Sequence, residues 1–354
     1  MRENNNLTHG IHPYHAKFIP SIPRYFIETY AKRNSLILDP FCGSGTSLLE
    51  ASLCGHSAVG VDISPLAYKI AKAKVTLINP EILENTLENI QEQYTTCKSV
   101  KCVEFENKYI WYSYKTIDVL DKLYTIISEI TDDKVKNIFE VIFSSILKTV
   151  CNKRKTWNNG YIADNVLPNL QYSGDAFKVF VNKAKSAVKA YRELWEISSG
   201  LTEASVYCKS IMDYNPSEQF DLVITSPPYP FAVDFAKYYR LSLYWFQYDV
   251  IKCAEKETGA RHKRNRKSAI SDFFSEMELI YKHIFKMVHQ GGYFCMTVGD
   301  THRECMKISF VDWLKELFNN NNWELIEDTI RELSCQSMGQ KRIPTEHMLV
   351  FRKK

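Results

Sequence analysis

The chain has 354 residues, of which 45% are hydrophobic and 24% charged, and its net charge is +4. This is the composition of an ordinary globular protein with a sizeable core, and the lack of any run of about 18 apolar residues excludes a membrane span. The polar N-terminus lacks the apolar stretch of a secretory signal, and the ten cysteines form no CxxC pair. We therefore expect a cytoplasmic protein with reduced cysteines, no metal site and no membrane partner.

The first predicted elements form a βαβ unit between Ser35 and Lys74. The apolar run Leu36–Leu38 is typical of a buried parallel strand, and it leads directly into the loop "DPFCGSGT". A helix follows and ends at Gly55, "SAVGVD" is a second strand, and Ser64–Pro65 is a helix start with proline in its first turn. This unit predicts a parallel sheet.

The pattern changes to amphipathic helices between residues 80 and 200. The stretch "DDKVKNIFEVIFSSILKTV" places apolar residues at helical spacing, and a second such helix begins near Asp175. Between them, "CNKRKTWNNGYIADNVLPNLQYSG" is polar and contains glycine, which predicts a loop. We predict a helical insertion over residues 80–200 that is not part of the sheet.

Sheet signals resume after residue 200. Strands are predicted over 204–208 and 220–226, followed by a helix at "SLYWF". A longer helix, a turn at Gly291–Gly292 and a strand from Tyr293 to Val298 come next. The helix "FVDWLKELFNN" then precedes two strands that we expect to pair at the sheet edge. Residues 1–79 and 201–354 are thus predicted to be two halves of one catalytic domain, interrupted by residues 80–200.

Two features of the first βαβ unit favour a nucleoside cofactor. In "DPFCGSGT", two glycines flank Ser44 and let the backbone approach a ligand at the carboxyl end of a strand, where Asp39 could take up a cationic group such as an α-amine. Asp62 ends the second strand, roughly 20 residues later, where a carboxylate can accept both ribose hydroxyls. Alternatively, the glycines form a turn without a ligand and Asp62 caps the next helix, although Ser64 is better placed for that role.

The stretch "DLVITSPPYP" ends a buried strand abruptly. Pro227 and Pro228 cannot continue the sheet, because proline has no N–H to donate and its φ is restrained. The strand therefore leads into a stiff segment that carries a hydroxyl at Ser226, carbonyl acceptors and an aromatic face at Tyr229. We call Ser226–Tyr229 the platform.

The motifs "DPFCGSGT", "VGVDIS" and "TSPPY", in this order, resemble those of the S-adenosylmethionine-dependent amino-methyltransferases that act on DNA (the N4-cytosine and N6-adenine type). The N-terminal "HPYHAKFIPSIPRYFIETY" resembles the segment that closes over the cofactor in this family, and the resemblance covers residues 9–75 and 204–353. It implies a Rossmann-like class I methyltransferase fold: an α/β protein with a mostly parallel seven-stranded sheet, helices on both faces and a helical insertion.

The resemblance also implies roles for individual residues. The cofactor-binding residues would be Tyr14, Lys17, Phe18, Asp39, Pro40, Phe41, Gly43, Gly45, Thr46, Asp62, Ile63, Ser64 and Asp213. The catalytic residues would be those of the platform: Ser226, Pro227, Pro228 and Tyr229. Asp213 would be a substitute for the acid that family members often have directly after the third strand, where this chain has Lys209 and Ser210.

The platform implies a mechanism. Hydrogen bonds from an exocyclic amine to Ser226 Oγ and the Pro227 carbonyl would hold its nitrogen toward sp³ geometry, and Tyr229 would stack on a flipped base. Serine at the first platform position usually accompanies N4-cytosine methylation in this family, while Asp or Asn usually accompanies N6-adenine, which stays the alternative. The sequence disfavours C5-cytosine chemistry, because that chemistry typically needs a Pro-Cys pair and no proline here precedes a cysteine.

Two basic stretches are candidate contacts to double-stranded DNA, since clustered Lys and Arg displace counterions from nucleic acid. Their cations are Arg261, Lys263, Arg264, Arg266 and Lys267 in the first, and Lys153, Arg154 and Lys155 in the insertion, the candidate recognition region. Solvated loops are the alternative for both. Asp234 and Arg240 could contact cofactor or substrate, or form structural salt bridges.

The resemblance leaves further alternatives open. A role in restriction–modification or defence would add a cognate restriction endonuclease as a partner. An RNA methyltransferase would share the cofactor fold, and so would a non-catalytic nucleic-acid-binding protein, although the intact motifs disfavour the latter. Neither the target sequence nor the oligomeric state can be inferred from the sequence.

Overall fold

The computed structural model describes residues 7–98, 100–153, 167–202, 204–303, 306–332 and 345–354. Its helices are α1 (Ser21–Tyr30), α2 (Thr46–Leu53), α3 (Pro65–Val75), α4 (Pro80–Thr96), α5 (Lys108–Trp111), α6 (Tyr114–Ser128), α7 (Asp133–Leu147), α8 (Ala176–Glu196), α9 (Phe235–Tyr238), α10 (Arg240–Trp245), α11 (Val250–Lys256), α12 (Ala269–Lys286) and α13 (Phe310–Asn320). Its strands are β1 (Leu36–Asp39), β2 (Ser57–Asp62), β3 (Ala204–Cys208), β4 (Phe220–Thr225), β5 (Val288–Val298), β6 (Thr301–Arg303), β7 (Met306–Ile308), β8 (Trp323–Glu332) and β9 (Thr345–Lys353). No helix of the described part of the chain is long and apolar enough to cross a membrane.

Seven strands form one sheet in the order β3-β2-β1-β4-β5-β9-β8. All neighbouring pairs from β3 to β5 are parallel, whereas β9 runs antiparallel to both β5 and β8. The predicted mostly parallel, seven-stranded Rossmann-like sheet is therefore confirmed, including the paired strands at its edge. The strand order reverses between β1 and β4, which is where open α/β sheets bind ligands.

Helices cover both faces of this sheet. Leu38 and Val223 belong to a buried apolar cluster that includes residues of α12 and α13. Ile37 and Ile224, the preceding and following residues in their strands, point to the opposite face and are equally buried. On that side α2 contacts β1 and α1 contacts β4. Because both faces are apolar, β1 and β4 read as continuous hydrophobic runs rather than alternating ones.

One predicted boundary in the sheet is wrong. Strand β5 begins at Val288, so Gly291–Gly292 lies within the strand instead of forming a turn before it. The pairing of β5 with β4 shifts register beside this pair, and Gly291 has a φ of 77°. The glycines thus accommodate a β-bulge, in which extra residues on one strand face fewer on its partner.

The chain divides into two compact units. The sheet unit comprises Ala16–Ala71, Leu201–Phe235 and Cys253–Lys354. The helical unit comprises the residues up to His15, Lys72–Gly200 and Ala236–Lys252, so it includes more of the chain than the predicted insertion. In this unit α8 packs against α4, α6 and α7. The described residues between 80 and 200 form the helices α4 to α8, while the domain boundaries at 79 and 200 stay a prediction.

The helical unit also contains a buried ion pair. Lys108 Nζ lies 3.0 Å from Asp121 Oδ2, and both side chains are almost completely buried. The pair fixes the short helix α5 against α6. Asn152, at the start of the stretch predicted as a loop, donates from its backbone N–H and side-chain Nδ2 to carbonyls of α5, at Trp111 and Ile110.

Candidate active site

The glycine loop between β1 and α2 depends on two left-handed residues. Gly43 has a φ of 49° and Gly45 a φ of 73°, and the N–H of Gly45 donates to the Cys42 carbonyl at 2.7 Å. A Cβ on Gly45 would lie 2.8 Å from the Cβ of Ala71 in α3. The loop therefore needs glycine at Gly45 for both its backbone angle and its close approach to α3.

A third glycine near this loop was missed by the sequence analysis. Gly60 lies inside β2, and a Cβ there would be 2.5 Å from Leu48 Cδ1 and 2.9 Å from Cys42 Sγ. It lets the loop and α2 pack directly on the strand. The signal that could have found it is a glycine in the middle of an otherwise apolar strand, which indicates a close approach of other groups.

Asp39, at the end of β1, is buried and already accepts several hydrogen bonds. Its Oδ1 accepts from the Phe41 backbone N–H at 3.1 Å and from Thr225 Oγ1 at 2.9 Å, and its Oδ2 accepts from the Ser47 hydroxyl. Burial raises the pKa of Asp39 to about 6 from its usual 3.8, although these donors favour the carboxylate. Asp39 thus joins β1, α2 and the end of β4, and its predicted contact with a cofactor amine stays a prediction.

Asp62, at the end of β2, faces the glycine loop. Its Oδ2 accepts from the Gly43 N–H and its Oδ1 from the Ser64 N–H, both at 2.8 Å. Burial raises the pKa of this carboxyl to about 6 as well. Its side chain is partly exposed, unlike that of Asp39, and its oxygens have lone pairs left for further donors such as ribose hydroxyls. Ser64 caps α3 as expected, through a bond from the Ala67 N–H to its Oγ.

The other predicted cofactor residues lie in different surroundings. Pro40 and Thr46 are buried beside the glycine loop, and Phe41 packs against the apolar cluster of the sheet. Ile63 is partly exposed next to Asp62. Asp213 is exposed at the end of a 3-10 turn that comes after β3.

The predicted N-terminal contacts fall in both units. Lys17 and Phe18 belong to the sheet unit, in which Lys17 is exposed and Phe18 partly buried. Tyr14 belongs to the helical unit, where its ring stacks on Tyr239 with 5.1 Å between centroids. Within this unit His15 in turn stacks on Tyr238, so the two tyrosines that precede Arg240 hold the N-terminal segment. A cofactor contact of these N-terminal residues stays a prediction.

The platform begins immediately after β4, beside β1. Ser226 is partly exposed and Pro227 is buried. The hydroxyl of Tyr229 donates to Glu346 Oε1 at 3.1 Å, and its ring packs against the apolar cluster of the sheet. Burial and the Glu346 carboxylate raise the pKa of Tyr229 above its usual value.

Glu346, which the sequence analysis missed, is held in turn by Arg331 on the neighbouring strand. Arg331 Nε and Nη2 lie 3.0 and 2.9 Å from Glu346 Oε2. The acid lies on β9 and the arginine on β8, more than 100 residues after the platform in the sequence. No local pattern signals this contact, because it arises from the pairing of β9 with β5 and β8.

The basic stretch Arg261–Lys267, which we call the basic segment, does not present all of its cations outward. Lys263 Nζ donates to the carbonyls of Glu255 and Glu257, at 2.9 and 2.6 Å. Arg266 and Lys267 are exposed, and Arg264 is partly exposed. Of this segment, Arg264, Arg266 and Lys267 are therefore the cations best placed for an external anion.

The remaining predicted residues have other surroundings. Lys153, in the helical unit, is exposed and pairs through its backbone with Leu170, while Arg154 and Lys155 lie outside the described residues. Asp234 is buried, and its Oδ1 lies 2.9 Å from His262 Nδ1, a contact within the protein. Arg240 is buried in the helical unit, with its guanidinium carbon 5.8 Å from the centre of the Trp111 ring.

Known proteins resemble the chain in sequence. Residues 1–73 match the family model described as "DNA methylase". The Type II methyltransferase M.MvaI of Kocuria varians is 28% identical over 263 residues, which are 68% of this chain and 57% of that protein. The Type II methyltransferase M.MjaII of Methanocaldococcus jannaschii is 29% identical over 165 residues, or 42% and 30%. The chain thus spans less than two thirds of these relatives.

Among solved structures, that of the rRNA methyltransferase aviRa from Streptomyces viridochromogenes aligns with 99% of this chain and 93% of its own, at 10% identity and a TM-score of 0.42. The fold assignment rests on the strand order instead. That order, the glycine loop and the strand-end acid define a Rossmann-like fold suited to a nucleoside cofactor, and S-adenosylmethionine is the cofactor that the match to the DNA methylase family model implies. Within this class, the chain is related to the S-adenosylmethionine-dependent DNA amino-methyltransferases, as its sequence motifs predicted.

Proposed function

We propose that the protein methylates N4 of cytosine in a specific sequence of duplex DNA. The observation that carries the proposal is the placement of the platform. Ser226 directly follows Thr225, whose hydroxyl donates to Asp39 at the start of the glycine loop. A hydroxyl and a proline carbonyl that could orient an amine thus lie at the same sheet edge as the two elements suited to the cofactor, and in-line placement of two reactants supplies much of a rate.

In this proposal the chain orients the amine and the cofactor without a strong base. Ser226 Oγ and the Pro227 carbonyl accept both protons of the exocyclic amine, so that its lone pair is directed away from the ring. Asp62 accepts from ribose hydroxyls, and the left-handed glycines leave room for the methionine end of the cofactor. S-adenosylmethionine, when bound, would supply the electrophilic methyl group and leave as S-adenosylhomocysteine, and the amine would lose one proton after the transfer. Tyr229, held by Glu346, packs on the flipped base.

N6-adenine methylation is the second candidate, because the same platform and cofactor residues would serve it. Serine at position 226 favours cytosine on the strength of the family resemblance alone. Methylation of RNA and cofactor binding without turnover are weaker alternatives. A role in restriction–modification and a cognate endonuclease are further parts of the proposal that rest on resemblance to the Type II enzymes, and a cytoplasmic location rests on the cysteines that we expect to be reduced.

The test is methyl transfer from labelled S-adenosylmethionine to unmethylated genomic DNA, followed by mass spectrometry of the nucleosides. We expect N4-methylcytosine, and a fall in rate of about 100-fold or more for Ser226→Ala. Ser271→Ala, which removes an exposed hydroxyl on α12, is the control and should act like the wild type. N6-methyladenine as product would refute the cytosine assignment, and label in RNA but not in DNA would refute the DNA assignment.

A further inference from the structure

The chain segment that leads into the basic segment, and includes its first two residues, is bonded to the residues that come after the platform. The N–H of Phe231 donates to the Gly259 carbonyl at 2.7 Å, and the N–H of Arg261 donates to the Val233 carbonyl at 3.3 Å. The N–H of Phe235 donates to Glu257 Oε2 at 3.1 Å. We call residues 257–262 the strap, since they run beside residues 231–235 of the sheet unit.

Asp234 and His262 make the most specific contact of the strap. Asp234 Oδ1 accepts from the His262 backbone N–H at 2.8 Å and lies 2.9 Å from His262 Nδ1. Asp234 is 5% exposed, so its carboxylate depends on these partners within the protein. A carboxylate that binds both the backbone and the ring of one residue fixes that residue's position more closely than a surface ion pair does.

The backbone has left-handed residues on both sides of the contact between the strap and residues 231–235. Phe231 has a φ of 58°, which is unusual for a residue with a side chain, and Gly259 has a φ of 65°. A Cβ on Gly259 would lie 2.7 Å from the Phe273 ring. For Phe231 this conformation is costly and persists only where the surrounding contacts determine it, often at ligand sites. The geometry here is therefore maintained by the strap contacts together.

The strap leads directly into cations of two kinds. Lys263 is used inside the protein, because its Nζ binds the carbonyls of Glu255 and Glu257. Arg266 and Lys267 come within the next four residues and are exposed. An anion bound by these two side chains would thus restrict the position of the basic segment. The strap and Asp234 connect that segment to residues 231–235, which follow the platform.

We propose that Asp234 and His262 are positioning residues that couple contact between the basic segment and DNA backbone phosphates to the placement of the platform. The inference rests on the proposed function and adds the division of labour among its residues. Arg266 and Lys267 bind phosphates, and Lys263 stabilises the basic segment through its bonds to backbone carbonyls. The Asp234–His262 contact then couples the position of the basic segment to that of Tyr229, five residues before Asp234. Binding energy from a remote part of the substrate would thereby be used for the reaction.

The test separates DNA affinity from turnover. The dissociation constant for duplex DNA is measured at several salt concentrations for the wild type and the variants. Their kcat, affinity for S-adenosylmethionine and melting temperature are measured as well. For the double variant Arg266→Ala/Lys267→Ala we expect weaker DNA binding and a lower kcat. The slope of the logarithm of the DNA-binding constant against the logarithm of the salt concentration (the salt slope) should be smaller in magnitude by about 2. For His262→Ala we expect an unchanged slope and a kcat lower by roughly tenfold.

Two further variants keep the result interpretable. His262→Asn retains an amide N–H near the position of Nδ1 and should restore most of kcat. Lys282→Ala removes an exposed cation of α12 and should change neither slope nor kcat. If the wild type methylates DNA and His262→Ala has the same kcat as the wild type, the coupling is overturned. It is also overturned if kcat falls as much in His262→Asn as in His262→Ala while the melting temperature of His262→Asn stays at the wild-type value. If the wild type methylates no DNA, the proposed function fails and the coupling with it.

Discussion

Replacing Gly45 with alanine tests the packing of the glycine loop against α3. A residue with a Cβ in the left-handed region costs about 1–2 kcal/mol, and φ at Gly45 is 73°. The new Cβ would also lie 2.8 Å from Ala71 Cβ and 3.0 Å from Ala71 Cα, and overpacking of this kind costs about 1–3 kcal/mol. Gly45→Ala should therefore lower the free energy of unfolding by about 2–5 kcal/mol.

Gly55→Ala is the matched control. Gly55 has a φ of 79°, but a Cβ there would meet no atom within 4 Å. Its variant should lose only the backbone contribution, about 1–2 kcal/mol. Urea unfolding followed by circular dichroism gives both values, and calorimetry with S-adenosylmethionine should show weakened binding for Gly45→Ala alone. Equal destabilisation of the two variants would refute the steric argument, and unchanged cofactor affinity in Gly45→Ala would refute the assignment of the loop.

Three other predictions concern charges. Because the pKa of Asp62 is raised to about 6, its carboxyl takes up a proton as pH falls from 7 to 5. The affinity for S-adenosylmethionine, measured by calorimetric titration, should therefore fall over this pH range. Asp62→Asn should bind S-adenosylmethionine weakly, and its affinity should not change between pH 7 and 5. Glu346→Gln removes a negative charge that raises the pKa of Tyr229, so this pKa should fall but stay above its usual value, because Tyr229 remains buried. Ultraviolet difference titration measures the pKa, and Tyr229→Phe identifies which signal belongs to Tyr229. An unchanged pKa would contradict the contact between the two residues. Lys108→Met leaves the Asp121 carboxylate buried without its cation and should lower the free energy of unfolding, measured with urea, by about 3–5 kcal/mol. A decrease below about 1 kcal/mol would show that the pair is not buried in solution.

The parts that sequence analysis predicted correctly are those in which neighbouring residues determine the structure. The strand–glycine loop–helix order indicated the parallel sheet, because a βαβ connection has few alternatives. The proline pair after β4 marked the end of that strand, since proline cannot donate to a sheet. Helical spacing also located α7 and α8, and the last two strands were expected to pair at the sheet edge, whereas α4, α5 and α6 were not predicted individually. By contrast, the Gly291–Gly292 pair was taken for a turn, because a glycine bulge inside a strand has the same local composition.

The glycine loop, the acid at the end of β2, the platform and the type of sheet could all be read from the sequence, because each depends on residues close together in the chain. The partners of these groups could not, and they became visible only in the folded chain. Thr225 bonds to Asp39, Glu346 to Tyr229 and His262 to Asp234, and Lys263 turns inward. Such contacts depend on which distant strands and loops become neighbours, and a polar side chain that loses water on burial takes the nearest donor or acceptor that the fold supplies.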